Sequence, residues 1–371
     1  MSQYPAPESG TLAPFYAASQ HRPRPLPLFL DLLRRETVDA PDRLVRALAG
    51  LRRYQQADRP PPAPPAPIVA RAGRAVLRDY GGDRTGPAVL FVPSLINPPS
   101  VLDLAPGRSL LHYLADAGLR PLLLDWGTPT PSDAAQDIAA HVETMLLPLI
   151  DALDRPPALV GYCLGGTMAI AAAALRPVPA LALIATPWSF AGFPVQARTD
   201  LARLWTDLAP AAGRLGLLPM EALQALFWRL DPARTVARFE AFASQADIAD
   251  SVALEDWAND GPPIALAAAR DLFEGLYRDD RPGTGRWSVA GRRIDPAAIP
   301  CPILDIVSTR DRIVPADTAL STRLASAVPH RLALGHVGMV VGTRARAQLW
   351  EPLRDWLLHP ATRLIERPQP I

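Results

Sequence analysis

The sequence predicts an α/β fold: a mostly parallel sheet with helices on both faces and a helical cap insertion. Three observations predict it. Short apolar runs such as "PAVLFVP" (87–93) and "PALVGY" (157–162) alternate with helical stretches, as a parallel sheet covered on both sides requires. From about Trp188 to Pro296 the alternation stops and the pattern is helical. Strand-helix order then returns with "CPILDIVSTRD" (301–311). Helices inserted between two strands of such a sheet have the pattern of a cap.

Residues 1–70 read as an N-terminal arm. Its stretches "PLPLFLDLLRR" and "DRLVRALAGLRRYQQ" carry apolar residues at helical spacing, and "DRPPPAPPAP" (58–67) is a proline-rich segment. Residues 71–371 read as the main domain, with the insertion at about 188–296. The first core strand is 87–93, and "SLLHYLADAG" (109–118) is a helix ending at glycine. "RPLLLDW" (120–126) is a strand, and 132–153 is a long helix with a serine or aspartate cap. Strands follow at 157–162 and "ALALIAT" (180–186). In the insertion, "LARLWTDLA", "MEALQALFWRL" and "DLFEGLY" are helical, and Phe227, Trp228, Trp257, Phe273 and Tyr277 supply large apolar side chains. After the insertion come a strand at 301–311, another at "HRLALGH" (330–336), and a last helix at about 343–357.

Composition bounds the partners. With 371 residues, 49% of them hydrophobic, the chain can bury a large core. A net charge of +1 argues against nucleic acid as the main partner. Two cysteines, Cys163 and Cys301, make neither a disulfide framework nor a zinc cluster, and fit a reducing, cytoplasmic setting. The start, "MSQYPAPESGTLAPFY", has no basic segment followed by an apolar run, so no signal peptide is expected. The apolar runs are too short to span a bilayer.

The chemistry centres on "LVGYCLGGTMAIAAAAL" (159–175). Gly-Tyr-Cys-Leu-Gly is a G-x-S-x-G nucleophile elbow with sulfur in place of oxygen, set between a strand and a helix. That context predicts an α/β-hydrolase fold with Cys163 as nucleophile. Glycines beside it permit a tight turn, and the following helix N-terminus favours a thiolate. The Leu164 amide is expected to donate to an oxyanion. A second donor is expected from "PSLINPP" (93–99), at the amides of Leu95 and Ile96.

The elbow predicts an acid and then a histidine in chain order. Asp311 follows the strand in "LDIVSTRDRIVP"; Asp305, inside that strand, is the weaker alternative. His336 lies in the glycine-bounded "ALGHVGMVVG". His21, His112, His141, His330 and His359 lack this context. Cys301 lies between two prolines at a strand start and reads as structural. In this arrangement His336 takes the thiol proton and Asp311 orients the imidazole.

Longer stretches carry a family likeness: "VPSLINPPSVLDLAPGRSLLHYLADAGLRPLLLDWGTP" (92–129), "VGYCLGGTMA" (160–169), "LEDWANDG" (254–261), "CPILDIVSTRDRIVPA" (301–316) and "GHVGMVVG" (335–342). On these the chain resembles polyhydroxyalkanoate synthases, especially the short catalytic subunits of class III. The resemblance implies polymerisation of 3-hydroxyacyl-coenzyme A to polyester, with release of coenzyme A and Cys163 as the acyl carrier. It implies no cofactor beyond the substrate thioester, and it gives Asp311 a further role in activating the incoming hydroxyl. It also implies a homodimer, an accessory synthase subunit and a place at the polyester granule surface. Pro98-Pro99 departs from the family, which often has an aromatic pair there, and residues 1–70 lie outside the likeness. The alternative on the same residues is a cysteine-dependent hydrolase: an esterase, thioesterase or polyester depolymerase. A non-catalytic partner protein would show a damaged triad, and Cys163, Asp311 and His336 are all present.

Overall fold

A computed structural model describes residues 23, 25–59 and 63–360. It divides into two units, one comprising the residues up to 62 with Leu223–Asn259, the other Ala63–Ala222 with the residues from Asp260 onward.

The first unit is helical. α1 (Leu26–Glu36) has Pro27 at its second position and α2 (Pro41–Gln56) begins on Pro41; proline's fixed φ suits a first helical turn. Their apolar faces meet those of α7 (Met220–Leu230, from Leu223 on), α8 (Pro232–Ser244) and α9 (Ala249–Asn259). Phe29, Leu33, Leu51, Tyr54, Trp228, Phe239 and Phe242 form its core. Polar ties close it: Arg43 pairs with Glu240 at 2.8 Å, and Asp256 accepts from Tyr54 at 2.7 Å and from Arg59 Nε at 2.8 Å. The expected division into an arm (1–70) and one continuous insertion (188–296) is thus redrawn. Helices at either end of this pairing are too amphipathic to stand alone, and each buries its apolar side on the other.

The second unit holds an eight-stranded sheet. Its strands are β1 (Ile68–Ala72), β2 (Ala75–Asp79), β3 (Ala88–Val92), β4 (Arg120–Asp125), β5 (Ala158–Tyr162), β6 (Leu181–Ile184), β7 (Ile303–Ser308) and β8 (Ala327–Leu332). Their order is β1-β2-β4-β3-β5-β6-β7-β8. β4, β3 and the four strands beyond are parallel; β1 and β2 are antiparallel additions at one edge. The β1–β2 hairpin was not expected from the sequence. β8 begins three residues earlier than expected and contains Pro329, tolerated because the strand is at the sheet edge.

Helices cover the sheet. α3 (Leu110–Asp116) is capped by Ser109, whose hydroxyl accepts from the His112 amide at 3.1 Å. α4 (138–151) starts later than expected, at Asp137, whose carboxylate accepts from the Ala140 amide at 2.7 Å, and holds a π-turn at Val142–Leu146. α5 (Leu164–Leu175) is buried along nearly its whole length, and its run of alanines lets it lie close to the sheet. The flanking parts of the insertion also belong here: α6 (Val195–Leu215) and α10 (266–278), where Phe273 stacks on Trp205 at 5.2 Å. α11 (Gly338–Val341) and α12 (346–358) are the last described helices. Among the described residues no helix is long and apolar enough to cross a membrane.

Candidate active site

The site lies at the carboxyl ends of the parallel strands, where a doubly covered sheet leaves its loops free to carry chemistry. Cys163 sits between β5 and α5 with φ 56° and ψ −130°, a conformation L-residues avoid. Its amide donates to the Ile184 carbonyl at 2.9 Å, and its own carbonyl accepts from the Gly166 amide at 2.9 Å. The strained residue is therefore the cysteine itself. The neighbouring glycines serve close approach instead: a Cβ on Gly161 would lie 2.3 Å from Gly166 Cα, and one on Gly165 would lie 2.1 Å from the Val92 carbonyl oxygen.

Asp311 and His336 come together as expected. The His336 Nδ1–H donates to Asp311 Oδ2 at 2.6 Å. The other Asp311 oxygen accepts from the amides of Ile313 at 2.8 Å and Val314 at 2.9 Å, so the loop fixes the carboxylate before it meets the ring. Burial pulls the His336 pKa down. The charges of Asp311 and Cys163, with their hydrogen bonds to the ring, outweigh this and push it up to about 10. His336 thus responds to two groups, Asp311 through a hydrogen bond and Cys163 through its charge, and the three make a candidate set. Such a set can deprotonate a thiol, carry an acyl group on sulfur and return a proton to a leaving group.

Asp305 is separated from this set. It is fully buried within β7, with Oδ2 accepting from the Ser321 amide at 2.7 Å, and burial raises its pKa to about 6. Cys301 precedes β7 at the opposite end of the strand from Asp311, and burial pushes its thiol up to about 11. His112 lies in α3, His141 in α4 and His330 in β8, while His359 follows α12; His21 is outside the described residues.

The expected oxyanion donors divide. Leu164 opens α5, where a first-turn amide has no intrahelical acceptor. The Ile96 amide donates to Ser94 Oγ at 3.0 Å, which sets it against the expected role, while Leu95, the other expected donor, is buried beside it. Asn97 turns the loop with φ 64°, and Pro98-Pro99 leads into a short 3₁₀ turn, Pro99–Leu102.

The sequence reading gave no role to Tyr162, although the residue stands inside the elbow. Its ring stacks on His336 at 5.1 Å, and its hydroxyl donates to the His336 carbonyl at 3.2 Å. The side chain next to Cys163 thus holds the His336 ring and backbone in place. Tyr277, from α10, also faces this region: burial and then the charge of Cys163 raise its phenol pKa. Among the described residues no three His, Cys, Asp or Glu side chains gather to hold a metal ion.

No family model matches the chain. The chain is 29% identical to the poly(3-hydroxyalkanoate) polymerase subunit PhaC of Haloferax mediterranei over 72% of its own length and 58% of the relative's. It is 24% identical to the subunit of the same name from Allochromatium vinosum, across 90% of this chain and 99% of the other. With that of Synechocystis the figures are 24%, 87% and 92%. Among solved structures, a thermophilic esterase from Thermogutta terrifontis superposes with a TM-score of 0.50 at 16% identity, covering 80% of this chain and 98% of that one. In fold the chain is an α/β-hydrolase, and in sequence it resembles the poly(3-hydroxyalkanoate) polymerase family along most of its length.

Proposed function

We propose that this chain is a polyhydroxyalkanoate synthase subunit that polymerises 3-hydroxyacyl-coenzyme A into polyester and releases coenzyme A. The observation that carries the reading is a cysteine, not a serine, at the strained elbow beside the His336–Asp311 pair. The names of the relatives agree with it. Cys163 passes its proton to His336 and attacks the thioester carbonyl. A carbon–sulfur bond to Cys163 forms, the bond to coenzyme A breaks, and His336 returns the proton to the departing thiolate. The acyl group stays activated because one thioester has replaced another. The hydroxyl of the next unit then gives its proton to His336 and attacks. An ester bond forms, the bond to Cys163 breaks, and the lengthened coenzyme A thioester re-enters by the first step. Leu164 and Leu95 amides stabilise the oxyanion at each attack. The part of the insertion that carries Tyr277 walls the site and moves to admit substrate. The catalytic unit works as a homodimer with an accessory subunit, at the granule surface. Expression in a host lacking its own synthase tests the reading. Polymer should accumulate with the native chain and with Cys301→Ala, and not with Cys163→Ala. Free 3-hydroxy acid in place of polymer would favour the hydrolase instead.

A further inference from the structure

Trp126 lies just past β4, almost fully buried, and its indole N–H donates to the carbonyl of Pro93 at 3.0 Å. Pro93 lies just past β3, the neighbouring parallel strand, at the start of the loop that carries Leu95. The same carbonyl group also lies against α5. A Cβ on Gly165, in the first turn of α5, would stand 2.4 Å from the Pro93 oxygen. Further along, the Ile96 amide is tied back to Ser94 Oγ. The loop is therefore pinned on both sides of Leu95.

The indole is itself held. Its ring meets the edge of His141 at 5.8 Å. His141 Nδ1–H donates to the Asp137 carbonyl at 2.6 Å, and its Nε2 accepts from Arg74 at 2.6 Å. A buried Trp needs one acceptor for its N–H. Here that acceptor is a peptide plane whose orientation sets those that follow. We propose that Trp126 is a positioning residue for the oxyanion hole: its N–H fixes the Pro93 peptide, and through it the Leu95 amide, in the donating orientation. The inference rests on the reading of Leu95 and Cys163 given above.

The test uses the full chain in a Cys301→Ala background, so that Cys163 is the one reactive thiol. Trp126→Phe removes the N–H and shortens the ring. Incorporation of benzothienylalanine at 126 removes the N–H and keeps the shape, so a folding defect in the first variant does not decide the outcome. Two rates are compared. Alkylation of Cys163 by iodoacetamide needs the thiolate and no oxyanion. Acylation, followed with p-nitrophenyl butyrate and with 3-hydroxybutyryl-coenzyme A, needs both. Acylation by the ester should fall about tenfold or more in kcat, with KM and alkylation within about twofold of the parent, since loss of a whole oxyanion donor costs on the order of 10²–10³. Undiminished ester acylation in the benzothienylalanine variant would overturn the proposal. So would a parallel fall in alkylation, which would place the effect on the thiolate and its histidine. A parent acylated by the ester and inert to the coenzyme A thioester would count against the synthase reading alone.

Discussion

Cys163 holds φ 56° and ψ −130°. For a side chain with a Cβ this costs about 1–3 kcal/mol, a strain that surrounding structure must impose. Glycine takes such a conformation without the clash. Cys163→Gly should therefore melt above Cys163→Ala, both being inactive; equal melting temperatures would deny the strain. His336 gives a second, pH-dependent signature. Its folded pKa, about 10, lies above the ordinary 6.5, so the protonated ring stabilises the fold. That contribution is full below the unfolded pKa, declines as pH rises, and is lost once pH passes the folded value. The melting-temperature gap between the native chain and His336→Gln should narrow steadily from pH 6.5 to 10. A gap that widened with pH would show the sign to be wrong. The places of Cys163, Asp311 and His336 were legible because each residue follows a strand in the order that the elbow pattern leads one to expect. Tyr162 and Trp126 were not, because a stacking ring and an indole donor act through neighbours brought close only by folding.

α5 shows what the elements contribute. It starts just after Cys163, packs against β5 and β3, and owes its closeness to Gly165 and to small side chains. Gly165→Ala would set a methyl 2.1 Å from the Val92 carbonyl oxygen and 2.4 Å from that of Pro93. Neither is the end of a flexible side chain, so the helix or the loop that starts at Pro93 must shift. We expect a loss of about 1–3 kcal/mol in stability, as overpacked cores show, and a larger proportional loss of activity. Urea unfolding beside an activity assay would check it; native activity with native stability would contradict the packing argument. The core strands were readable because buried parallel strands are continuous apolar runs, as in "AVLFV" and "ALVGY". The β1–β2 hairpin was missed because "IVARA" is largely exposed and carries no such run. α4 was expected too long because Pro131–Asp133 forms a separate 3₁₀ turn before Asp137 caps the helix.

The whole molecule is less simply divided than its sequence suggests. The arm and the middle of the insertion are far apart in the chain, yet Phe29, Tyr54, Trp228, Phe239 and Phe242 share one core. No local pattern announces a partner 197 residues away, as Arg43 has in Glu240. Deleting residues 1–62 should strip that core and make 223–259 the first segment cut in limited proteolysis; an equally resistant segment would show that the arm is dispensable to it. The central claim concerns chemistry on one sulfur. Intact-protein mass spectrometry after brief mixing with 3-hydroxybutyryl-coenzyme A tests it most directly. The account predicts adducts on Cys163 spaced by single hydroxyacyl units, absent from Cys163→Ala. Coenzyme A release with free hydroxy acid, and no adduct longer than one unit, would contradict it.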